Sequence, residues 1–146
     1  MADVVAEKKI ELRVIAPTSA TDKSPYKFRK GVDMVIMRCS TGDMGILPGR
    51  MPVSAVLGTG MLRIFDEDVV RHMALVGGIA HAGDDVLTIL SDEALKPEEI
   101  NVEKVSAEMK ELQRKLEAAE EMVERDLFKK EIHRCQVLLD VAEFKS

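Results

Sequence analysis

The side chains that could carry chemistry are few and scattered. The three histidines are His72, His81 and His133, and no two stand at metal-ligand spacing. There is no Cys-x-x-Cys, so neither a metal site nor a redox pair is expected. Cys135 falls on an apolar helical seam and reads as core. Cys39 with a remote histidine would be a conceivable nucleophile, but nothing local supports it. Gly42-Asp43-Met44-Gly45 lacks the Lys-Ser/Thr pair and following helix of a phosphate loop. A net charge of -5, no Trp and a single Tyr argue against nucleic-acid binding. No catalytic residue and no cofactor is expected, and the chemistry left to this chain is that of docking.

The stretch suited to docking is Gly42-Asp43-Met44-Gly45-Ile46-Leu47-Pro48-Gly49-Arg50-Met51-Pro52. Glycine supplies backbone angles that side chains forbid, and proline fixes φ and removes a donor. Such a run is expected as a rigid turn, and Met44, Ile46, Leu47 and Met51 make it too apolar for a solvated loop. A packed structural corner is the competing reading.

Short strands must position that turn. Residues 10–15 alternate apolar and charged, and Pro17 stops them. Thr18 to Pro25 is polar and turn-like. Tyr26 to Arg29, Asp33 to Cys39, Val53 to Leu57, Met61 to Phe65, Val69 to Val76, Ile79 to Ala82 and Val86 to Leu90 complete the set. Asp66-Glu67-Asp68 is expected at a charged hairpin tip, Gly83-Asp84-Asp85 in a tight turn, and Gly77-Gly78 at a bulge or close backbone approach. Eight or more short strands with regular turns imply a β-sandwich or flattened barrel.

All 9 glycines and all 5 prolines lie at or before Pro97, and beyond it the period changes. Val105, Met109, Leu112, Leu116, Ala119 and Val123 form one helical seam, with Asn101 as its N-cap. Phe128, Ile132, Cys135, Leu139 and Ala142 form a second. The phase breaks near Arg125-Asp126, which predicts an antiparallel two-helix hairpin with Asp126 capping the second helix. One long helix with a stutter is the alternative. The expected fold is thus α+β in two units: a β-sandwich over 1–94, a linker at 95–100 and a helical hairpin over 101–146. Neither a run of eighteen apolar residues nor a signal peptide is evident.

Gly42 to Pro52 also resembles the Gly-Glu-Leu-Gly-Ile-Leu-Pro-Gly-His-x-Pro segment of the ε subunit of F-type ATP synthases. Gly60-Met61-Leu62-Arg63-Ile64 is similar to that family's Gly-x-x-Arg-Ile strand. Val76-Gly77-Gly78-Ile79 is similar to its Ser-Gly-Gly-x strand, with Val76 replacing the serine, and Val86 to Ala94 resembles its Val-Thr-Val-Leu-Ala-Asp-x-Ala segment. Order and spacing hold from about residue 10 to residue 94.

The resemblance implies a non-catalytic rotor subunit that docks on the γ subunit and the c-ring, its hairpin extending towards the α and β subunits to inhibit ATP hydrolysis. It places the chain at the cytoplasmic face of a bacterial membrane, coupled there to proton or sodium flow. Asp43 takes the place of the family's acidic residue near the c-ring and Arg50 that of its γ-contacting histidine, with Met44, Met51, Pro52 and Val53 beside them. Some members bind regulatory ATP through Ile/Leu-Asp-x-x-Arg-Ala; here Asn101 and Lys104 replace the Asp and Arg, so a tight ATP site is not expected. A free-standing ligand sensor and a helical adapter or chaperone are the alternative functions.

Overall fold

Alternation sets the first strand. In β1 (Ile10–Ile15), Ile10, Leu12 and Val14 are buried while Glu11, Arg13 and Ile15 face outward. The computed structural model describes residues 8–17, 24–49 and 52–145. The strands that follow are β2 (Tyr26–Val32), β3 (Met34–Cys39), β4 (Gly42–Ile46), β5 (Val53–Leu57), β6 (Gly60–Asp66), β7 (Val69–Val76), β8 (Gly78–Gly83), β9 (Val86–Leu90) and β10 (Glu93–Leu95). Neighbours run β10-β7-β6-β3-β5-β8-β9-β1-β2, with β4 added on β3. All pairings are antiparallel except β1 on β9. The far strand β2 returns beside β6, where the Asp33 N–H donates to the Phe65 carbonyl at 2.8 Å. The sheet therefore curls into the nearly closed sandwich that the turn spacing predicts. Its core includes Leu12, Val35, Met37, Leu62, Ile64, Leu87 and Ile89, all from strands.

Three local features depart from the sequence reading. Gly42–Ile46 is not irregular turn but an edge strand, paired with β3 from Val35↔Ile46 to Cys39↔Gly42. An edge position tolerates its glycines, and Pro48 ends the pairing because it has no N–H to give. The short β10, which pairs Glu93 with Val76 and Leu95 with Ala74, is absent from the sequence reading. Asp66 stands at the expected charged hairpin tip, yet its side chain is only 9% exposed, held by Lys30 at 2.6 Å and Lys9 at 2.9 Å.

Beyond β10, Pro97–Glu99 form a single 3-10 turn, and Pro97 and Ile100 are buried. Two helices follow, α1 (Val102–Ala118) and α2 (Met122–Ala142), so the hairpin prevails over one long helix. Asn101 caps α1 as expected, its Oδ1 accepting the Lys104 N–H at 3.1 Å. The break, however, falls at Ala119–Glu121 and not at Arg125-Asp126. Glu121 is the N-cap of α2, and Asp126 lies exposed inside it. The cause is tertiary: Arg125 Nη1 donates to the carbonyls of Leu116 at 2.9 Å and Ala119 at 3.1 Å, satisfying the free carbonyl end of α1. Val123, expected in the first seam, is consequently 71% exposed.

The second core joins Val105, Met109 and Leu112 of α1 with Cys135 and Leu139 of α2. It also carries a face the seam reading missed: Leu138 and Val141 are buried with Met61, Ala74, Leu95 and Ile100 on the sandwich side. Burial of Leu138 and of Val141 contributes about 1.5–3 kcal/mol each. Among the described residues no helix is long and apolar enough to cross a membrane.

Candidate functional site

The residues expected to dock separate into two groups along β5. Asp43 lies at the Leu57 end, exposed on β4 opposite Arg38. Its carboxylate is shared between Arg38 Nη1 at 3.2 Å and Arg63 Nη2 at 3.3 Å, so this edge presents an Arg-Asp-Arg set and not a bare acid. Met44 is half-buried and packs against the core. At the opposite end of β5, Val53 is half-buried against the core and Pro52 is exposed beside Gly83. In the chain between the groups, Leu47 is 53% exposed and the Gly49 N–H donates to Asp85 Oδ1 at 2.7 Å, which ties the turn to the β8–β9 hairpin. Arg50 and Met51 lie outside the described residues.

The surface that best fits docking was not singled out from the sequence. It is the outer face of β5, β8 and β9, where cross-strand register builds two parallel rows. Val56 opposes Ile79, and Ile79 opposes Leu90. These three are 61%, 55% and 45% exposed, a contiguous apolar row open to solvent. Two residues away, Ser54 opposes His81, and His81 opposes Thr88. Ser54 Oγ and His81 Nδ1 are 2.9 Å apart. Both rows line a shallow groove of about 310 Å³. An exposed contiguous apolar row is what a protein keeps for a partner. The available signal was in β8 itself, where small Ala80 and Ala82 face the core and the large Ile79 faces out.

Glycine holds the row in line. Gly78 has φ +129, and a Cβ there would lie 2.1 Å from the Leu90 carbonyl oxygen. Any side chain at 78 would push β8 away from β9, so the sequence expectation of a close backbone approach is met.

The remaining candidates take structural roles. His72 stacks on Phe144 with ring centroids 3.6 Å apart, and burial first, then the Arg63 charge, pushes its pKa down. His133 Nε2 lies 3.1 Å from the Thr59 carbonyl oxygen. Burial pushes both thiols up, with Asp43 adding to the effect at Cys39 and Glu108 at Cys135, which leaves little thiolate for nucleophilic chemistry. Asn101 is engaged as a cap, and Glu98, Glu99 and Glu103 surround it with Lys145. No group of His, Cys, Asp and Glu side chains among the described residues has metal-binding geometry.

Comparison with known proteins agrees with this architecture. Residues 10–97 match the family described as ATP synthase, Delta/Epsilon chain, beta-sandwich domain. The chain is 34% identical over 111 residues to the chloroplastic ATP synthase epsilon chain of Psilotum nudum, covering 76% of this chain and 79% of that one. It is 27% identical over 135 residues to the ATP synthase epsilon chain of Caldicellulosiruptor bescii, covering 92% and 94%. In fold it is similar to a chain of the Euglena gracilis mitochondrial ATP synthase solved with its OSCP, F1 and c-ring, with TM-score 0.70, 23% identity and coverage of 98% and 89%. A family match that spans every strand of the sandwich, with relatives of this identity and coverage, has one reading: the chain belongs to the ε-subunit family of F-type ATP synthases, as a regulatory and structural subunit and not a catalytic one.

Proposed function

We propose that this subunit sits on the central stalk of a rotary ATP synthase, with its outer β5-β8-β9 face docked on the γ subunit and its Asp43 edge turned to the c-ring. The observation that carries the reading is the exposed row of Val56, Ile79 and Leu90. Leu47, exposed at the turn that Asp85 ties to the β8–β9 hairpin, extends it. Chains of similar fold come from assemblies described as central stalk and c-ring, which fits this placement. Coupling to proton or sodium flow, and a site on the cytoplasmic face of a bacterial membrane, belong to the same proposal; the nearly full-length similarity to a bacterial chain supports the latter.

The helices act in this reading as a movable brake. The sandwich core holds no residue of either helix, which suits a unit ending near residue 94. At the far end of the hairpin Met122, Val123 and Leu127 are 77%, 71% and 56% exposed, an apolar tip available to the α and β subunits when the hairpin extends. Binding of Ile79→Asp to purified γ subunit tests the docking. A charge forced into a desolvated contact costs roughly 2 kcal/mol or more, so affinity should fall more than tenfold with circular dichroism unchanged. Wild-type affinity would overturn the assignment of this face.

A further inference from the structure

The face that α2 turns to the sandwich begins and ends with a cation. Arg134, Leu138, Val141 and Lys145 are spaced 4, 3 and 4, one stripe of the helix and its end. Leu138 and Val141 are buried, and their contacts are apolar and non-directional. Arg134 is different. Its Nε donates to Glu93 Oε2 at 2.9 Å and its Nη2 to Glu93 Oε1 at 2.6 Å, while Nη1 lies 3.8 Å from Glu108 Oε1. Glu93 opens β10, the edge strand of the sheet, and Glu108 lies on α1. One guanidinium thus joins sheet, α1 and α2. Its side chain is only 21% exposed, against 75% for Arg114, whose pair with Glu111 stays within α1.

We infer that Arg134 is an ionic latch that holds the helical hairpin on the sandwich through Glu93. The latch rests on the reading of the hairpin as movable and names what keeps it folded. Bidentate pairing fixes one geometry, which apolar contact alone does not. The guanidinium fork matches Glu93 only when α2 sits in this register, so the latch closes in one position of the hairpin. At the other end Lys145 Nζ donates to the Ile100 carbonyl at 2.6 Å, and the Phe144–His72 stack lies next to it. Those contacts hold the hinge, where the helices join the sheet. Arg134 holds the part of α2 that must lift. Being ionic and partly exposed, the latch weakens with salt, and a partner carboxylate that captures the guanidinium opens it.

The chain carries its own reporter. Cys135, next to Arg134 on α2, is 0% exposed in the core that the helices share with Met61, Ala74 and Leu95 of the sandwich, while Cys39 is 6% exposed in the strand core. Maleimide labelling of the full chain, quantified at each thiol by mass spectrometry, separates lifting of the hairpin from unfolding. In Arg134→Gln and in Glu93→Gln, Cys135 should label about tenfold faster than in the parent chain, the loss expected for a charge-assisted pair. Cys39 should keep its parent rate, and the double variant should open little further than either single one. Raising salt to about 1 M should speed Cys135 labelling in the parent and not in Arg134→Gln. An unchanged Cys135 rate in the single variants overturns the latch. So does a Cys39 rate that rises in step, which would make the pair a support of the whole fold. The assay needs no other subunit, so its failure is distinct from failure of the docking and braking reading, which hydrolysis by the assembled complex tests.

Discussion

Asp66 Oδ2 lies 2.6 Å from Lys30 Nζ, and the pair closes the end of the sandwich where β2 returns to β6. Lys9 reaches the other oxygen at 2.9 Å and also holds Asp33 at 2.7 Å, whose second oxygen accepts the Glu67 N–H at 2.6 Å. The Lys30 hydrogen bond first, then that of Lys9, outweighs burial and brings Asp66 from 3.8 down to about 2. Lys9 is raised above the ordinary lysine value, first by Asp33 and then by Asp66. A carboxylate with a depressed folded pKa adds stability that is complete above its unfolded value and is lost as pH falls through the folded one. Asp66→Asn should therefore melt below the parent at pH 7. The gap should close between about pH 4 and about pH 2, measured as Tm by circular dichroism across that range. A gap independent of pH would show that the Asp66 charge does not carry the effect.

Nucleotide should bind weakly. The side chain of Asn101 is engaged with the Lys104 N–H, and the hollow beside it is edged by Glu98, Glu99 and Glu103. Carboxylates repel phosphate, and Lys104 lacks the fork of an arginine. Calorimetry with ATP and Mg²⁺ should show no tight site. A dissociation constant in the micromolar range would contradict this account.

How much of this was legible in the chain depended on whether local residues decide the outcome. The strand at Ile10–Ile15 alternates strictly, and its buried and exposed residues follow that pattern. The β8–β9 turn was readable because Asp84 and Asp85 adopt positive φ, which short polar residues tolerate. The helix break was misplaced because Ala119, Glu120 and Glu121 carry no helix-breaking residue, and the carbonyl clamp from Arg125 is a contact no period reveals. Leu138 and Val141 were missed because α2 buries two faces where one seam was sought. The Val56–Ile79–Leu90 row depends on pairing across three strands, which fixes position only after folding.

Truncation after Pro97 separates brake from buttress. The strand core contains no hairpin residue, so the shortened chain should fold, with near-parental far-ultraviolet strand signal and a cooperative melt. It loses the cover over Met61, Ala74 and Leu95, and its Tm should fall by several degrees, as expected when about 2–3 kcal/mol of apolar burial is removed. Assembled into the complex, it should raise ATP hydrolysis while synthesis persists. An unfolded product, or unchanged hydrolysis, would make the helices a structural support.

Accessibility of position 79 tests the docking face most directly. Both native cysteines are buried, so in Ile79→Cys the introduced thiol is the exposed one, on a residue 55% exposed in the free chain. Maleimide should label it rapidly in the isolated subunit and at least about tenfold more slowly once the ATP synthase complex is assembled, since a desolvated interface core excludes water and reagent. Equal labelling rates in the free and assembled subunit would place the β5-β8-β9 face outside the interface.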